Sequence, residues 1–258
     1  MLNVKELGLE IYHAEKNRHA IAPFTEEFPG LTVDEAYAAQ LQYVDKRVAD
    51  GAKIKGKKIG LTSKAMQDML GVDRPDYGHI FDDMIFSETE AIDTSNYIAP
   101  RVEFEIAFIL KENIDGKNVT LETVKDAIDY VIPAAELIDS RIKDWKIKFE
   151  DTVSDNGSSA GAVIGKQHVK LGNIDLPSVK MEVFKNGERL DEGYGSAVLG
   201  NPLEAVVWLA RELAQYDITL KAGEVVLAGA LTKAVDVSSG DQFKAMFDGL
   251  GEVEISFS

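Results

Sequence analysis

The sequence predicts an α+β protein, with a β-rich core over residues 81–258 and a helical N-terminal portion over 1–80 packed on it as one structural unit. Three observations carry that reading. The first 50 residues have helical periodicity, Arg101–Leu110 alternates charged and apolar residues before turning wholly apolar, and short strand-like runs separated by glycine turns fill the C-terminal part.

Residues 4–19 read as an amphipathic helix, with Leu7, Ile11 and Ala14 on one face and His13 and His19 as surface residues. Thr32 and Glu35 form a capping box for a second helix that Gly51 ends, with Ala36, Ala39, Val44 and Val48 expected inward. Lys55–Ser63 is a short strand running into a turn, and Ser63 caps a helix through Leu70 that Gly71 terminates. Pro75-Asp76-Tyr77-Gly78 has the composition of a turn. A strand near Asp83–Phe86, the Arg101–Leu110 strand, a helix capped by Thr120 and a strand around Glu136 come next. Residues 151–159 are polar, small and turn-prone between apolar strands, so they read as a loop with backbone N–H groups available to an anion. Asn186-Gly187 marks a two-residue hairpin, and Asn201-Pro202-Leu203-Glu204 starts a helix that buries Ala205, Val206, Leu209 and Leu213. Strands at 224–228, 242–247 and 252–257 finish the chain.

Composition excludes several functions. Of 258 residues, 45% are hydrophobic, and 44 acidic against 28 basic side chains give a net charge of -16. Such a chain does not fit nucleic acid or an anionic membrane. It has no cysteine, so disulfides, thiolate metal sites and cysteine nucleophiles are excluded. Met1–Glu6 shows no basic region followed by an apolar one, and no run approaches the ~20 apolar residues of a membrane span. The expectation is a soluble, cytoplasmic protein.

The chemistry is expected around the central strand. Period two puts Arg101, Glu103 and Glu105 on one face and Val102, Phe104 and Ile106 on the other. Glu136 lies in a second apolar run, Tyr130–Ile138. Three inward carboxylates repel one another unless a positive charge lies among them, and without a soft ligand they suit a hard divalent cation, Mg²⁺ or Mn²⁺. The rival reading is a solvated edge strand whose glutamates pair with Arg101 and nearby lysines. Lys58 and Asp76 are likewise open between catalysis and ordinary surface roles.

Lys58-Ile59-Gly60-Leu61-Thr62-Ser63-Lys64, Pro75–Gly78, Arg101–Glu105, Pro133-Ala134-Ala135-Glu136, Ser140–Trp145, Asp151–Asn156 and Leu220–Glu224 occur in one order. Together they resemble the 2-keto-4-pentenoate (2-hydroxypenta-2,4-dienoate) hydratases and 4-oxalocrotonate decarboxylases of the fumarylacetoacetase-like superfamily, over nearly the whole chain. The resemblance implies a mixed β-roll and a cation, Mg²⁺ or Mn²⁺, held by Glu103, Glu105 and Glu136. It also implies a small anionic 2-oxo or 2-hydroxydienoic acid substrate from aromatic meta-cleavage catabolism. Lys58 and Asp76 would handle protons, Lys58 as base with its pKa lowered by cation and burial. Arg101 and Ser158 are the candidates for binding substrate. A homo-oligomer follows by the same analogy, as does a complex with a related decarboxylase. Formal charges over the triad, the cation, Lys58 and Arg101 leave one positive charge, which an ionised Asp76 cancels. Three rivals stand beside the hydratase: the decarboxylase, a C–C hydrolase using His79 with a glutamate to activate water, and a non-catalytic scaffold subunit.

Overall fold

The computed structural model describes residues 2–258. The N-terminal layer is α1 (Val4–Asn17), α2 (Phe24–Glu27) and α3 (Val33–Ala49). β1 (Ile54–Gly60), α4 (Lys64–Leu70), β2 (Asp76–Phe81), β3 (Ile85–Phe86), β4 (Pro100–Leu110), α5 (Leu121–Ala127), β5 (Ile128–Asp139), α6 (Phe149–Ser154) and β6 (Ser159–Ile164) follow. The chain ends with β7 (Lys180–Lys185), β8 (Glu188–Tyr194), α7 (Pro202–Ala214), β9 (Val225–Ala230), β10 (Val235–Asp236), β11 (Gln242–Phe247) and β12 (Gly251–Ser256).

Eight strands form a curled mixed sheet in the order β2-β1-β9-β4-β5-β6-β3, with β10 also pairing β4. β12-β11-β7-β8 form a second sheet. The two faces of β4 serve different cores. Val102, Phe104, Ile106 and Phe108 join the cluster that includes β7, β11, β12 and α7, whereas Ala107 joins a second cluster with α1, α3, Ala134, Ala162 and Leu227. A strand buried on both faces tolerates polar side chains only where they serve a site, and β4 carries two glutamates there.

Most local signals act as expected. Thr32 and Glu35 form the capping box of α3, Ser63 accepts from Met66 N–H at the start of α4, and Gly71 ends α4 with φ of 69°. Asn186 and Gly187 take positive φ between β7 and β8, as a two-residue hairpin of right-handed twist requires. His13 and His19 are exposed.

Four expectations are corrected. The division at residue 80 runs through β2, because β1 and β2 pair with each other and β1 pairs with β9. The N-terminal helical portion therefore ends with α3. Asp76–Gly78 is not a turn but the start of β2, since Tyr77 and Ile59 pair across an antiparallel ladder that turn-forming composition conceals. Residues 149–154 form α6, a short helix that Asp151 caps by accepting from Lys148 N–H, so only the segment after it is a turn. Val48 is 45% exposed, and the long side chains of Tyr43 and Arg47 take the inner face of α3 instead.

Candidate active site

Antiparallel pairing of β4 and β5 sets Glu136 opposite Glu103, with Glu105 two residues on. The three carboxylates therefore share one face, and a ligand oxygen from each lies within 4.8 Å of the others. All three are buried. Their cross-strand neighbours are small: Ala134 opposite Glu105 and Ala162 opposite Glu136. The Gly229 N–H donates to Glu105 Oε2 at 2.7 Å and fixes one carboxylate. Glu105 Oε1 and Glu136 Oε1 have no hydrogen-bond partner, and Glu136 Oε2 has only an ion-pair contact with Lys58 Nζ at 3.3 Å.

The electrostatics match this arrangement. Burial, then the charges of Glu136 and Glu103, hold the Glu105 carboxyl well above its ordinary range. Burial likewise pushes Glu136 up to about 7, although Lys58 pulls the other way. Buried acceptors that repel one another and lack donors are the signature of a cation site. Glu103, Glu105 and Glu136 fit a hard divalent ion; among the described residues no other group of three or more such side chains does.

Lys58 and Lys57 leave β1 on opposite faces, as period two demands. Lys58 Nζ donates to the Gly157 carbonyl at 3.0 Å and meets Glu136, whereas Lys57 Nζ sits 3.2 Å from Glu224. The lowering of the Lys58 pKa expected from a cation and burial is opposed by the carboxylates around it. Burial does pull it down, but Glu136, Asp76, Glu103 and Glu105 together raise it above its ordinary value. The proton-carrying role that the sequence resemblance implies for Lys58 predicts that Lys58→Met folds and loses at least ~10²-fold in kcat. Lys57→Met leaves Glu224 buried without its cation, which costs roughly 3 kcal/mol of stability with kcat unchanged. Thermal melts and initial rates on the two variants separate these roles, and kcat lost in Lys57→Met but kept in Lys58→Met would refute them.

Asp76 lies in β2 opposite Gly60, on the face of Lys58. Its Oδ2 accepts from Thr152 Oγ1 at 3.2 Å. A Cβ at position 60 would lie 2.2 Å from Asp76 Oδ1, so the carboxylate needs glycine there. Burial raises the Asp76 pKa, with Lys58 and Thr152 opposing. Lys58, Asp76, Glu103, Thr62, Thr152 and Ser158 are polar residues lining a cavity of about 70 Å³. Leu61, Met66, Ile138, Trp145, Ile147 and Ala230 are its apolar lining.

Ser158 reaches this cavity from a turn, with its hydroxyl 3.4 Å from Asp155 Oδ2. Arg101 stands at the margin. Its Nε donates to Asp236 at 2.7 Å, and its guanidinium lies 4.4 Å from the Trp145 ring centre. Counting charges along the sequence omits Asp236, which cancels Arg101. His79 is corrected outright as a hydrolytic base. It pairs across the ladder with Lys57, so its side chain shares that face and lies away from the triad, against Tyr77. Reading residues along the chain also misses Gly60, Thr152 and Gly229; the Lys58-Ile59-Gly60 spacing was the only available signal for the first.

A curled sheet that buries three carboxylates beside one lysine defines a metal-assisted enzyme. Residues 60–257 match the fumarylacetoacetate (FAA) hydrolase C-terminal family, and the chain belongs to that family. It is 43% identical over 257 residues to a 2-hydroxyhexa-2,4-dienoate hydratase of Comamonas testosteroni, covering 99% of this chain and 97% of that protein. It is 44% identical over 253 residues to a 2-keto-4-pentenoate hydratase of Paraburkholderia xenovorans, covering 98% and 94%. The fold superposes on the 4-oxalocrotonate decarboxylase from Pseudomonas putida complexed with magnesium and adipate. That match has a TM-score of 0.96 and 37% identity, covering 100% of this chain and 99% of that one.

Proposed function

We propose that the protein is a divalent-cation-dependent hydratase that adds water to 2-hydroxypenta-2,4-dienoate (2-keto-4-pentenoate), giving 4-hydroxy-2-oxopentanoate. The hydratase names of its relatives support the reaction class. The observation that carries the choice is the buried Asp76 carboxylate facing the same cavity as Lys58 and Glu103. A group there can take a proton from water, a task that hydration has and decarboxylation lacks.

Glu103, Glu105 and Glu136 would hold Mg²⁺ or Mn²⁺. When bound, the cation supplies Lewis-acid stabilisation of negative charge developing on the substrate's 2-oxygen. The chain's own groups do the rest. Lys58 accepts the 2-hydroxyl proton as C5 gains one, which leaves an α,β-unsaturated 2-oxo acid. A cation that balanced the triad's charge would offset the upward pull of the three glutamates on Lys58, leaving burial's downward pull opposed by Asp76. Asp76, steadied by Thr152, orients water toward C4 and takes its proton as the C4–O bond forms; C3 is protonated, and one water has been added overall. Ser158 hydrogen-bonds the substrate carboxylate, and Arg101 holds Trp145 in the cavity wall. The reading extends to a cytoplasmic homo-oligomer, which light scattering and cell fractionation test.

The likeness to the decarboxylase favours a second reading, loss of CO₂ from 2-oxohex-3-enedioate. Incubating the protein and Mg²⁺ with each acid, and following absorbance and product mass, decides between them. The expected result is gain of one water by the pentadienoate, with CO₂ release from the diacid slower. Faster CO₂ release would overturn the hydratase reading, and no turnover of either acid would favour the scaffold reading.

A further inference from the structure

The hydratase reading leaves unused the fully buried Arg141 and, Ser158 apart, the turn that follows α6. Arg141 is 1% exposed and Asp155 is 0% exposed. Arg141 Nε donates to Asp155 Oδ1, and its backbone N–H donates to Asp155 Oδ2 at 3.0 Å. Nη1 donates to the carbonyls of Asp139 at 2.7 Å and Ser159 at 3.0 Å, and Nη2 to the carbonyl of Asp155. Ser140 Oγ adds a donor to Asp155 Oδ2 at 3.3 Å. One guanidinium thus ties the end of β5 to both sides of the 156–158 turn.

That turn is strained. Asn156, Gly157 and Ser158 have φ of 54°, 59° and 56°, left-handed backbone in three successive residues, two of them not glycine. Asn156 is clamped on its other side. Its side chain accepts from His79 N–H at 2.8 Å and donates to the His79 carbonyl at 2.9 Å, replacing a strand neighbour of β2. The consequence lies at Gly157, whose carbonyl is forced toward Lys58 Nζ at 3.0 Å. A Cβ at Gly157 would lie 3.2 Å from Lys58 Cδ, so the turn also walls the lysine's stem.

We propose that Arg141 and Asp155 are positioning residues. Their ion pair holds the 156–158 turn in left-handed backbone, so that the Gly157 carbonyl and Glu136 together fix the reach of Lys58 Nζ toward substrate. An ordinary buried ion pair needs one fork; here the guanidinium also spends donors on three carbonyls, all at residues bordering this turn or β5. The two sequence segments Ser140–Trp145 and Asp151–Asn156 therefore act as one unit.

The inference rests on Lys58 handling the proton in the hydratase reading, so its test needs a readout apart from turnover. Arg141→Lys keeps the charge and loses the fork; Asp155→Asn keeps the shape and loses the charge; Ser140→Ala removes one donor and is mild. Amide hydrogen exchange over 155–160 is expected to quicken in all three, and Mn²⁺ binding followed by spin resonance to stay within threefold. kcat on the pentadienoate is expected to fall 10- to 100-fold in the first two and several-fold in Ser140→Ala, with KM within threefold. Arg47→Met, which breaks the ion pairs of the buried Arg47 with the half-buried Glu15 and the exposed Asp83, is the control for stability alone and should keep kcat. Faster exchange with kcat unchanged would overturn the proposal, as would an equal kcat loss in Arg47→Met. Should the two ion-pair variants fail to fold, Ser140→Ala decides alone: unaltered exchange and kcat refute the role. Should the wild type hydrate nothing, the hydratase reading fails, and exchange at 155–160 still reports whether the pair holds the turn.

Discussion

Glu105→Gln is expected to abolish turnover while making the metal-free protein more stable. Glu105 is the carboxylate of the triad that gains least from Lys58: burial, Glu136 and Glu103 all disfavour its charge ahead of any help from the lysine. An amide in its place removes a buried charge and one pair of repulsions, and its oxygen can still accept from Gly229 N–H. The thermal midpoint without metal should therefore rise by several degrees, since ~1 kcal/mol moves a domain of this size by roughly 2–4 °C. A ligand stabilises by mass action, about 2.7 kcal/mol at a hundred times Kd. The upward shift that Mg²⁺ or Mn²⁺ gives the wild type should accordingly shrink or vanish in the variant. Glu103→Gln should behave alike in activity. Glu136→Gln should lose activity without the gain in stability, because it strips Lys58 of its ion pair. Differential scanning calorimetry with and without the cation measures all of this. Full turnover by the wild type in excess EDTA after dialysis would remove the metal reading altogether.

The stabilisation expected from losing a functional carboxylate follows from how the triad is built. It sits where the sheet is buried on both faces, so Glu105 and Glu136 are taken out of water without donors beyond Gly229 and Lys58. Folding holds the three together because β4 and β5 pair along their full length, from Pro100 opposite Asp139 to Leu110 opposite Ile128. The stability of that ladder offsets the repulsion.

This division explains what was legible in the sequence. Glu103 and Glu105 declared their common face through period two alone, and the hairpin at Asn186-Gly187 declared itself through the positive φ its residues favour. Glu136 was visible as a carboxylate in an apolar run, but its place opposite Glu103 depends on a register that no local pattern states. β2 was hidden because Pro75, Asp76 and Gly78 are turn formers. Gly78 is there for a different reason: a Cβ would lie 2.1 Å from the Asn156 carbonyl. The pairing of Arg101 with Asp236 joins residues far apart in the chain through β10, a two-residue strand too short to carry a periodic signal. α6 was masked by Asp151, Thr152 and Ser154, residues that favour turns unless tertiary bonds such as Thr25 N–H to Asp151 hold them in a helix.

The second large effect is expected at Asp76, and it separates two halves of one reaction. Asp76→Asn preserves shape, so Thr152 Oγ1 can still donate to the remaining oxygen and Gly60 still leaves room. Fold and cation affinity should stay near wild type, because Asp76 is not one of the three carboxylates that meet within 4.8 Å. Ketonisation of the dienol needs only proton transfer between the 2-oxygen and C5, which the reading gives to Lys58, and it should survive to a large extent. Water addition at C4 needs a group that takes a proton from water, and an amide cannot; a loss of ~10²- to 10⁴-fold in hydration follows. The dienol's absorbance should then fall while the unsaturated 2-oxo acid accumulates and 4-hydroxy-2-oxopentanoate does not. If Asp76 instead only stabilises the start of β2, the variant will hydrate at the wild-type rate with a lowered thermal midpoint. The same substitution also bears on decarboxylation. A fixed carboxylate in the cavity opposes a second negative charge on the substrate, so Asp76→Asn should bind the diacid 2-oxohex-3-enedioate more tightly than the wild type. Unchanged hydration together with unchanged diacid affinity would leave Asp76 no chemical role.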